Sequence, residues 1–177
     1  MSSDALNRVR QATDRTRGAR RARVRYRFEG PDNPGPEDVD VTGTVDFVTW
    51  RVELSGQVEV QGQRSFLHDG GWRGPVGERG DPLNAGSPLW LLEALRGARE
   101  ILKREEDGAF MVSVDLVAAD AASPVRLASP GGFALSELVD ARFRVDLDDE
   151  DRVREVALML PGTTTALTLE ELGDGAE

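Results

Sequence analysis

Two neighbouring segments alternate so strictly that they decide what this chain can fold into. From Arg21 to Glu29, the residues Arg21, Arg23, Arg25 and Arg27 fall on one side, and Ala22, Val24, Tyr26 and Phe28 on the other. This is the period-two pattern of a half-buried strand. From Asp38 to Phe47, the positions Val39, Val41, Gly43, Val45 and Phe47 oppose Asp38, Asp40, Thr42, Thr44 and Asp46. An arginine face can then lie beside an aspartate face, with Arg23, Arg25 and Arg27 expected opposite Asp38, Asp40 and Asp46. The pattern predicts an antiparallel sheet, salt-bridged outside and apolar inside.

The charge is distributed in keeping with that sheet. Nine arginines against Asp4 and Asp14 leave residues 1–27 at +7, so the rest of the chain carries −17 of the total −10. A basic arm of this kind can serve nucleic acid or anionic lipid. Here the arginines from 21 to 27 alternate with apolar residues on a strand, and an aspartate-bearing strand follows, so ion pairs within the chain are expected and nucleic acid is not an expected partner. Lysine occurs once, at Lys103, against 21 arginines, the bias of a GC-rich genome.

The remaining organisation follows from local signals. Ser2 or Ser3 can cap a helix with Leu6, Val9 and Ala12 in one arc, ending near Gly18. Gly30 to Pro36 is a turn-rich loop. Thr49 to Leu54 alternates Trp50, Val52 and Leu54 inward, Gln57 to Gln61 and Ser65 to His68 continue the rhythm, and Asp69-Gly70-Gly71 closes a hairpin before Trp72. Residues 74–88, with four glycines and three prolines, read as a long loop. Ser87 and Pro88 then start a helix expected to run to Arg104, in which Leu91, Leu95, Ala98 and Leu102 share a line flanked by Trp90, Ala94 and Ile101. Glu93, Gly97 and Glu100 are its expected solvent face, and Gly108 follows its exit as a stop. The apolar arc of roughly 200° suits a helix cradled by a curved sheet. Further on, Phe110 to Val117 reads as a strand, Ala118 to Ala128 as a small-residue connection and Ala134 to Val139 as a short helix. Arg142 to Asp148, Arg152 to Leu160 and Thr163 to Leu169 form a closing meander. The order of elements predicts an α+β chain, one domain over residues 1–177, with a half-barrel antiparallel sheet wrapped around a central helix.

Little here announces a reaction. Cysteine is absent, which removes disulfides, thiolate catalysis and cysteine-ligated metal. His68 is the only histidine, so no histidine cluster can form, and it reads as a hairpin residue. The acidic run Asp146, Asp148, Asp149, Glu150 and Asp151 lacks the glycine and terminal glutamate of a calcium loop and reads as a solvated turn. Gly70-Gly71 and Gly131-Gly132 lack the strand-to-helix context of a phosphate loop. No catalytic residue, metal site or cofactor is expected. The start of the chain holds no signal-peptide core and no stretch approaches about 20 apolar residues. A cytoplasmic location is expected, or an extracytoplasmic one if the chain is the mature part of a longer protein.

Taken with that layout, the chain resembles the LolA-type lipoprotein carriers and, more closely, the mycobacterial LppX/LprG-type lipoproteins. The likeness lies in the glycine-bearing strand Val41-Thr42-Gly43-Thr44-Val45-Asp46-Phe47, the hairpin His68-Asp69-Gly70-Gly71-Trp72 and the helix start Ser87-Pro88-Leu89-Trp90-Leu91-Leu92. It extends through Phe143 to Asp148, Arg152-Val153-Arg154-Glu155-Val156 and the ending Thr165 to Gly173. Those families are exported, and several are lipidated on a cysteine that this chain lacks. The resemblance implies a half-barrel closed by helices over an apolar cavity, and a non-enzymatic protein that carries or senses a lipid-like ligand. Candidate cavity residues are Tyr26, Phe28, Phe47, Trp50, Trp90, Leu91, Leu95 and Leu102; plain core packing is the other role open to them. The alternative function is a protein–protein interaction module that uses a sheet edge or the acidic face and binds no small ligand.

Overall fold

The computed structural model describes residues 3–29, 38–49, 51–60, 63–67, 88–123, 127 and 140–173. Expectations for the Gly30–Pro36 loop, Trp50, His68, the Gly70-Gly71 turn, Trp72, the residue 74–87 loop, Gly131-Gly132 and the short helix at 134–139 lie outside these residues. Helix α1 spans Ser3–Gly18. Strands β1 (Arg21–Glu29), β2 (Asp38–Asp46), β3 (Arg51–Val60) and β4 (Gln63–Leu67) form a first meander, and β5 (Ala98–Arg104), β6 (Phe110–Val114), β7 (Ala141–Leu147), β8 (Val153–Leu160) and β9 (Thr163–Glu170) form a second. Between the meanders lies α2 (Trp90–Ala94), extended by a 3₁₀ turn over Leu95–Gly97, and α3 (Leu116–Ala122) follows β6.

The two meanders are joined by the first and last strands. The sheet order is β4-β3-β2-β1-β9-β8-β7-β6-β5, and β1 pairs antiparallel with both β2 and β9. This is an open antiparallel sheet with α2 against its apolar face. The expected alternation is present in β1, where Ala22, Val24, Tyr26 and Phe28 are buried between exposed or half-exposed neighbours. Val39, Val41 and Val45 do the same in β2.

Two glycines, one on β2 and one on β3, let the backbones of these strands approach closely. Gly43 pairs with Leu54, and Gly56 pairs with Val41. A Cβ on Gly43 would lie 2.9 Å from the Glu53 carbonyl carbon and 3.0 Å from Leu54 Cα; one on Gly56 would lie 2.8 Å from Val41 Cα. Strand glycines of this kind mark a tight bend where backbones approach closely. Because the obstructing atoms are backbone, Gly43→Ala is expected to cost about 1–3 kcal/mol. Gly18→Ala, with nothing within 4 Å of the new methyl, is expected to be near neutral; urea midpoints of the two variants check this.

The long helix expected from Pro88 to Arg104 is not formed. The helical part ends at Gly97, and Ala98–Arg104 is an edge strand. Its pairing with β6 has two register shifts, one between Ala98 and Glu100 and one between Ile101 and Lys103. With bulges, the inward positions Ala98 and Ile101 fall three residues apart, a spacing that imitates a helix face. Gly97 cannot carry a side chain, since a Cβ there would lie 2.9 Å from Ala119 Cβ. Gly108 is likewise not a helix stop: at φ +94° it sits in the hairpin turn between β5 and β6. The strand expected to run to Val117 ends at Val114, and the connection expected at 118–128 is helical as far as Ala122: α3 is capped by Asp115, whose side chain accepts from the Val117 and Ala118 N–H groups.

Candidate functional site

The concave face of the sheet and the α2 segment share one continuous apolar interior. Leu89, Trp90, Leu91, Leu92, Ala94 and Leu95 are all buried, against Tyr26 and Phe28 of β1, Leu54 of β3, Phe143 of β7 and Leu167 of β9, in a single cluster. Trp90 meets Phe143 edge-on, with ring centroids 6.2 Å apart and planes at 78°, a favoured aromatic geometry. The Tyr26 hydroxyl lies in this interior, and burial pushes its pKa up.

The outer side of α2 is polar, yet it does not face solvent. Glu93 is 0% exposed, which corrects its assignment, with Gly97, to a solvent face; Glu100 is exposed, on β5. The reason is that α1 and α3 cover this side. Thr13 Oγ1 of α1 donates to the Leu92 carbonyl at 2.8 Å, Arg96 Nε donates to Glu93 Oε2 at 2.5 Å, and Ser123 Oγ donates to the same oxygen at 3.1 Å. Arg17 approaches Glu93 Oε1 at 3.8 Å, and Arg96 also donates to Asp14 at 2.7 Å. Directional contacts thus hold α2 from behind, and non-directional apolar contact holds it in front.

Helix α1 buries only small or short side chains, Val9, Ala12, Thr13 and Thr16, with Leu6 half-buried. Polar contacts supply much of its hold. Arg8 and Arg15 both reach Asp151 in the β7–β8 turn, Arg10 Nε donates to the Ala98 carbonyl at 2.7 Å, and Thr16 Oγ1 accepts from the Val153 N–H at 2.8 Å. The Arg8 hydrogen bond holds the Asp151 carboxyl below its ordinary range, and Arg96 does the same for Asp14. Groups with depressed folded pKa values contribute stability above their unfolded value of about 3.9 and lose it as pH falls through the folded value. Stability is therefore expected to drop as pH falls below about 4, with α1 released early. Hydrogen exchange of α1 amides at about pH 3 against pH 7 checks this, and Asp151→Asn is expected to flatten part of the fall.

On the opposite face the arginines are engaged within the chain, though only partly as expected. Arg25 pairs with Asp40 through two bonds of 2.8 and 2.6 Å, and Arg21 pairs with Asp46 at 3.8 Å. Arg23 and Arg27 turn the other way, to Glu171 at 3.4 Å and Glu155 at 3.9 Å. Such half-exposed pairs contribute roughly 0.2–1 kcal/mol each. A hollow of about 780 Å³ opens on this face, lined among others by Arg23, Arg25, Asp40, Thr42, Thr44 and Ser55. Among the described residues, none of the candidate cavity residues lines it.

No family model matches the chain, and no curated protein does. Among solved structures, the lipoprotein LppX of Mycobacterium tuberculosis superposes with a TM-score of 0.51, covering 99% of this chain and 99% of its own, at 15% identity. The fold is that of LppX. The structure of LprF from Mycobacterium bovis gives a TM-score of 0.48, covering 99% of this chain and 96% of its own, at 14% identity.

Within the LppX fold, the interior gathers Tyr26, Phe28, Phe47, Trp90, Leu91 and Leu95, each at most 5% exposed. Trp50 lies outside the described residues. Leu102 does not belong to this set: it is 44% exposed on β5, because the strand that replaces the expected helix turns it outward. Sequence reasoning missed Phe143 and the polar anchors behind α2; the alternation of Arg142 to Asp148 carried the signal for Phe143. The expected interaction edge is blunted at β5 by its two register shifts and by Arg10 on the Ala98 carbonyl, devices that discourage strand addition. Among the described residues no helix is long and apolar enough to cross a membrane.

Proposed function

We propose that this chain is a non-enzymatic binding protein that takes an apolar, lipid-like ligand between the concave sheet and α2. The observation that carries the reading is the two-sided construction of α2. Its front residues, Trp90, Leu91 and Leu95, lie in the apolar cluster with the sheet, while the hydrogen bonds that tie the segment to α1 and to the end of α3, Thr13 to the Leu92 carbonyl, Arg96 to Asp14 and Ser123 to Glu93, engage its other side. An acyl chain entering there replaces one apolar contact with another, and the hydrogen bonds behind α2 stay in place. The likeness of fold to a mycobacterial lipoprotein supports the same reading.

Native mass spectrometry of protein purified without detergent tests it. A co-purified species of lipid mass is expected, together with binding of an apolar dye that Leu95→Trp blocks. Protein that is free of lipid and indifferent to the dye, with Leu95→Trp folded as the wild type, would overturn the proposal.

A further inference from the structure

The outer face of the sheet carries a polar hollow that the proposed lipid site does not use. Two adjacent rows of side chains build it. One runs across three strands as Arg25, Thr42 and Ser55, and the other as Glu170, Arg23 and Thr44, in the pairing register of β9, β1, β2 and β3. Arg23 and Arg25 are two residues apart on their strand, as are Thr42 and Thr44, so each pair shares one face. With Asp40, these side chains border a space of about 780 Å³, within the range of small-molecule sites. The sheet itself separates this space from the apolar interior.

The lining restricts the chemistry of what can fill it. Arg23 and Arg25 stand against Asp40 and Glu170, two cations and two carboxylates whose formal charges cancel. Arg25 commits Nε and Nη2 to Asp40, which leaves Nη1 as a donor, and Arg23 reaches Glu171 only at 3.4 Å. An anion entering here meets two carboxylates in a chain of net charge −10, and a cation meets two guanidiniums. An apolar ligand strips water from all four charged groups and replaces none of its hydrogen bonds. The hydroxyls of Thr42, Thr44 and Ser55 make no hydrogen bond with another described residue, and each can both donate and accept. A ligand built of hydroxyl groups matches this mixture, because every one of its groups can donate to a carboxylate or accept from a guanidinium.

We infer that the hollow is a second binding site, for a neutral polyhydroxylated ligand of the saccharide or polyol class. Arg23 and Arg25 act as donors to it, Glu170 as an acceptor, and Thr42, Thr44 and Ser55 as both. No aromatic ring lines the hollow among the described residues, so hydrogen bonds hold the ligand without stacking, and a Kd of about 1 mM is expected.

The test titrates isotope-labelled full-length protein with maltotriose, mannotriose and myo-inositol and follows the amide shifts by NMR. At least one of the three is expected to move the amides at positions 23–25, 42–44 and 55–56 with a Kd of about 1 mM. Glucose 6-phosphate, and glucosamine at about pH 6 where its amine is charged, are expected to bind at least about fivefold more weakly. Thr42→Val combined with Ser55→Ala, two outward changes, is expected to weaken the neutral ligand about five- to tenfold with the urea midpoint unchanged. Thr44→Val, on the neighbouring row, gives an independent reading of the same loss. Glu170→Gln leaves the lining net positive while keeping an acceptor, so it is expected to tighten glucose 6-phosphate by more than about threefold and to hold the neutral ligand within about twofold. The inference fails if none of the three neutral ligands moves these amides at about 10 mM, or if glucose 6-phosphate binds the wild type as tightly as the best of them. Undiminished binding by the folded hydroxyl-deleted variants also overturns it. Dye binding in the interior reports on the lipid site separately, and each result stands without the other.

Discussion

Leu95→Ala is expected to lower the unfolding free energy by about 2–5 kcal/mol, and Leu102→Ala to change it by no more than about 0.5 kcal/mol. Both leucines stand on the apolar line of the helix that the spacing predicts, so a helix from Pro88 to Arg104 would make them comparable. In the structure Leu95 is 0% exposed in the 3₁₀ turn, whereas Leu102 is 44% exposed on an edge strand. Truncating Leu95 loses transfer energy and leaves a void between α2 and the sheet, while truncating Leu102 mainly trims solvent-facing surface. Urea unfolding of the two variants separates the cases. Equal large losses would restore the long helix, and a small loss at Leu95 accompanied by tighter dye binding would mean that this wall yields to a ligand.

The second large effect is expected at Glu93. Glu93→Leu should cost about 3 kcal/mol, near the lower end for removing one partner of a buried ion pair, because Arg96 keeps its contact with Asp14. Its loss removes the Ser123 hydrogen bond and weakens the hold of α1 and α3 on α2. Glu100→Leu, on an exposed position of β5, is expected to stay within about 0.5 kcal/mol. Thermal unfolding of both variants, with hydrogen exchange of α1, is the measurement. A stable Glu93→Leu protein with α1 still protected would show that the apolar hold on α2 suffices without the polar network.

Much of the candidate site was legible in the chain because it lies on regular strands. Tyr26, Phe28 and Phe47 follow from alternation, and the neighbouring arginines and aspartates mark the other face. What misled was Ala98 to Arg104. A bulged edge strand places its inward residues at intervals of three, so Ala98 and Ile101 continued the helical line of Leu91 and Leu95, and periodicity alone does not separate the two. The true marker was Gly97, a poor residue for a helix interior. The small-residue segment after β6 was read as a connection, although Asp115 before an alanine-rich run is the ordinary sign of a capped helix.

The alternating residues by themselves determined that this chain makes an antiparallel sheet with a charged outside and an apolar inside, since a period of two has one geometrical reading. The apolar spacing after Pro88 also determined that a helix starts there, but not that it ends at Gly97. Only the tertiary structure decided that Glu93 is buried and that α1 and α3 close the back of α2. The same is true of which carboxylate each arginine meets: Arg23 and Arg27 choose Glu171 and Glu155, because β9 and β8 arrive on the far side of β1 from well over a hundred residues away. Sequence periodicity reports the direction a side chain points along its own element. Which element comes to meet it is fixed by pairing across the whole sheet, and that is settled by the collective burial of the interior.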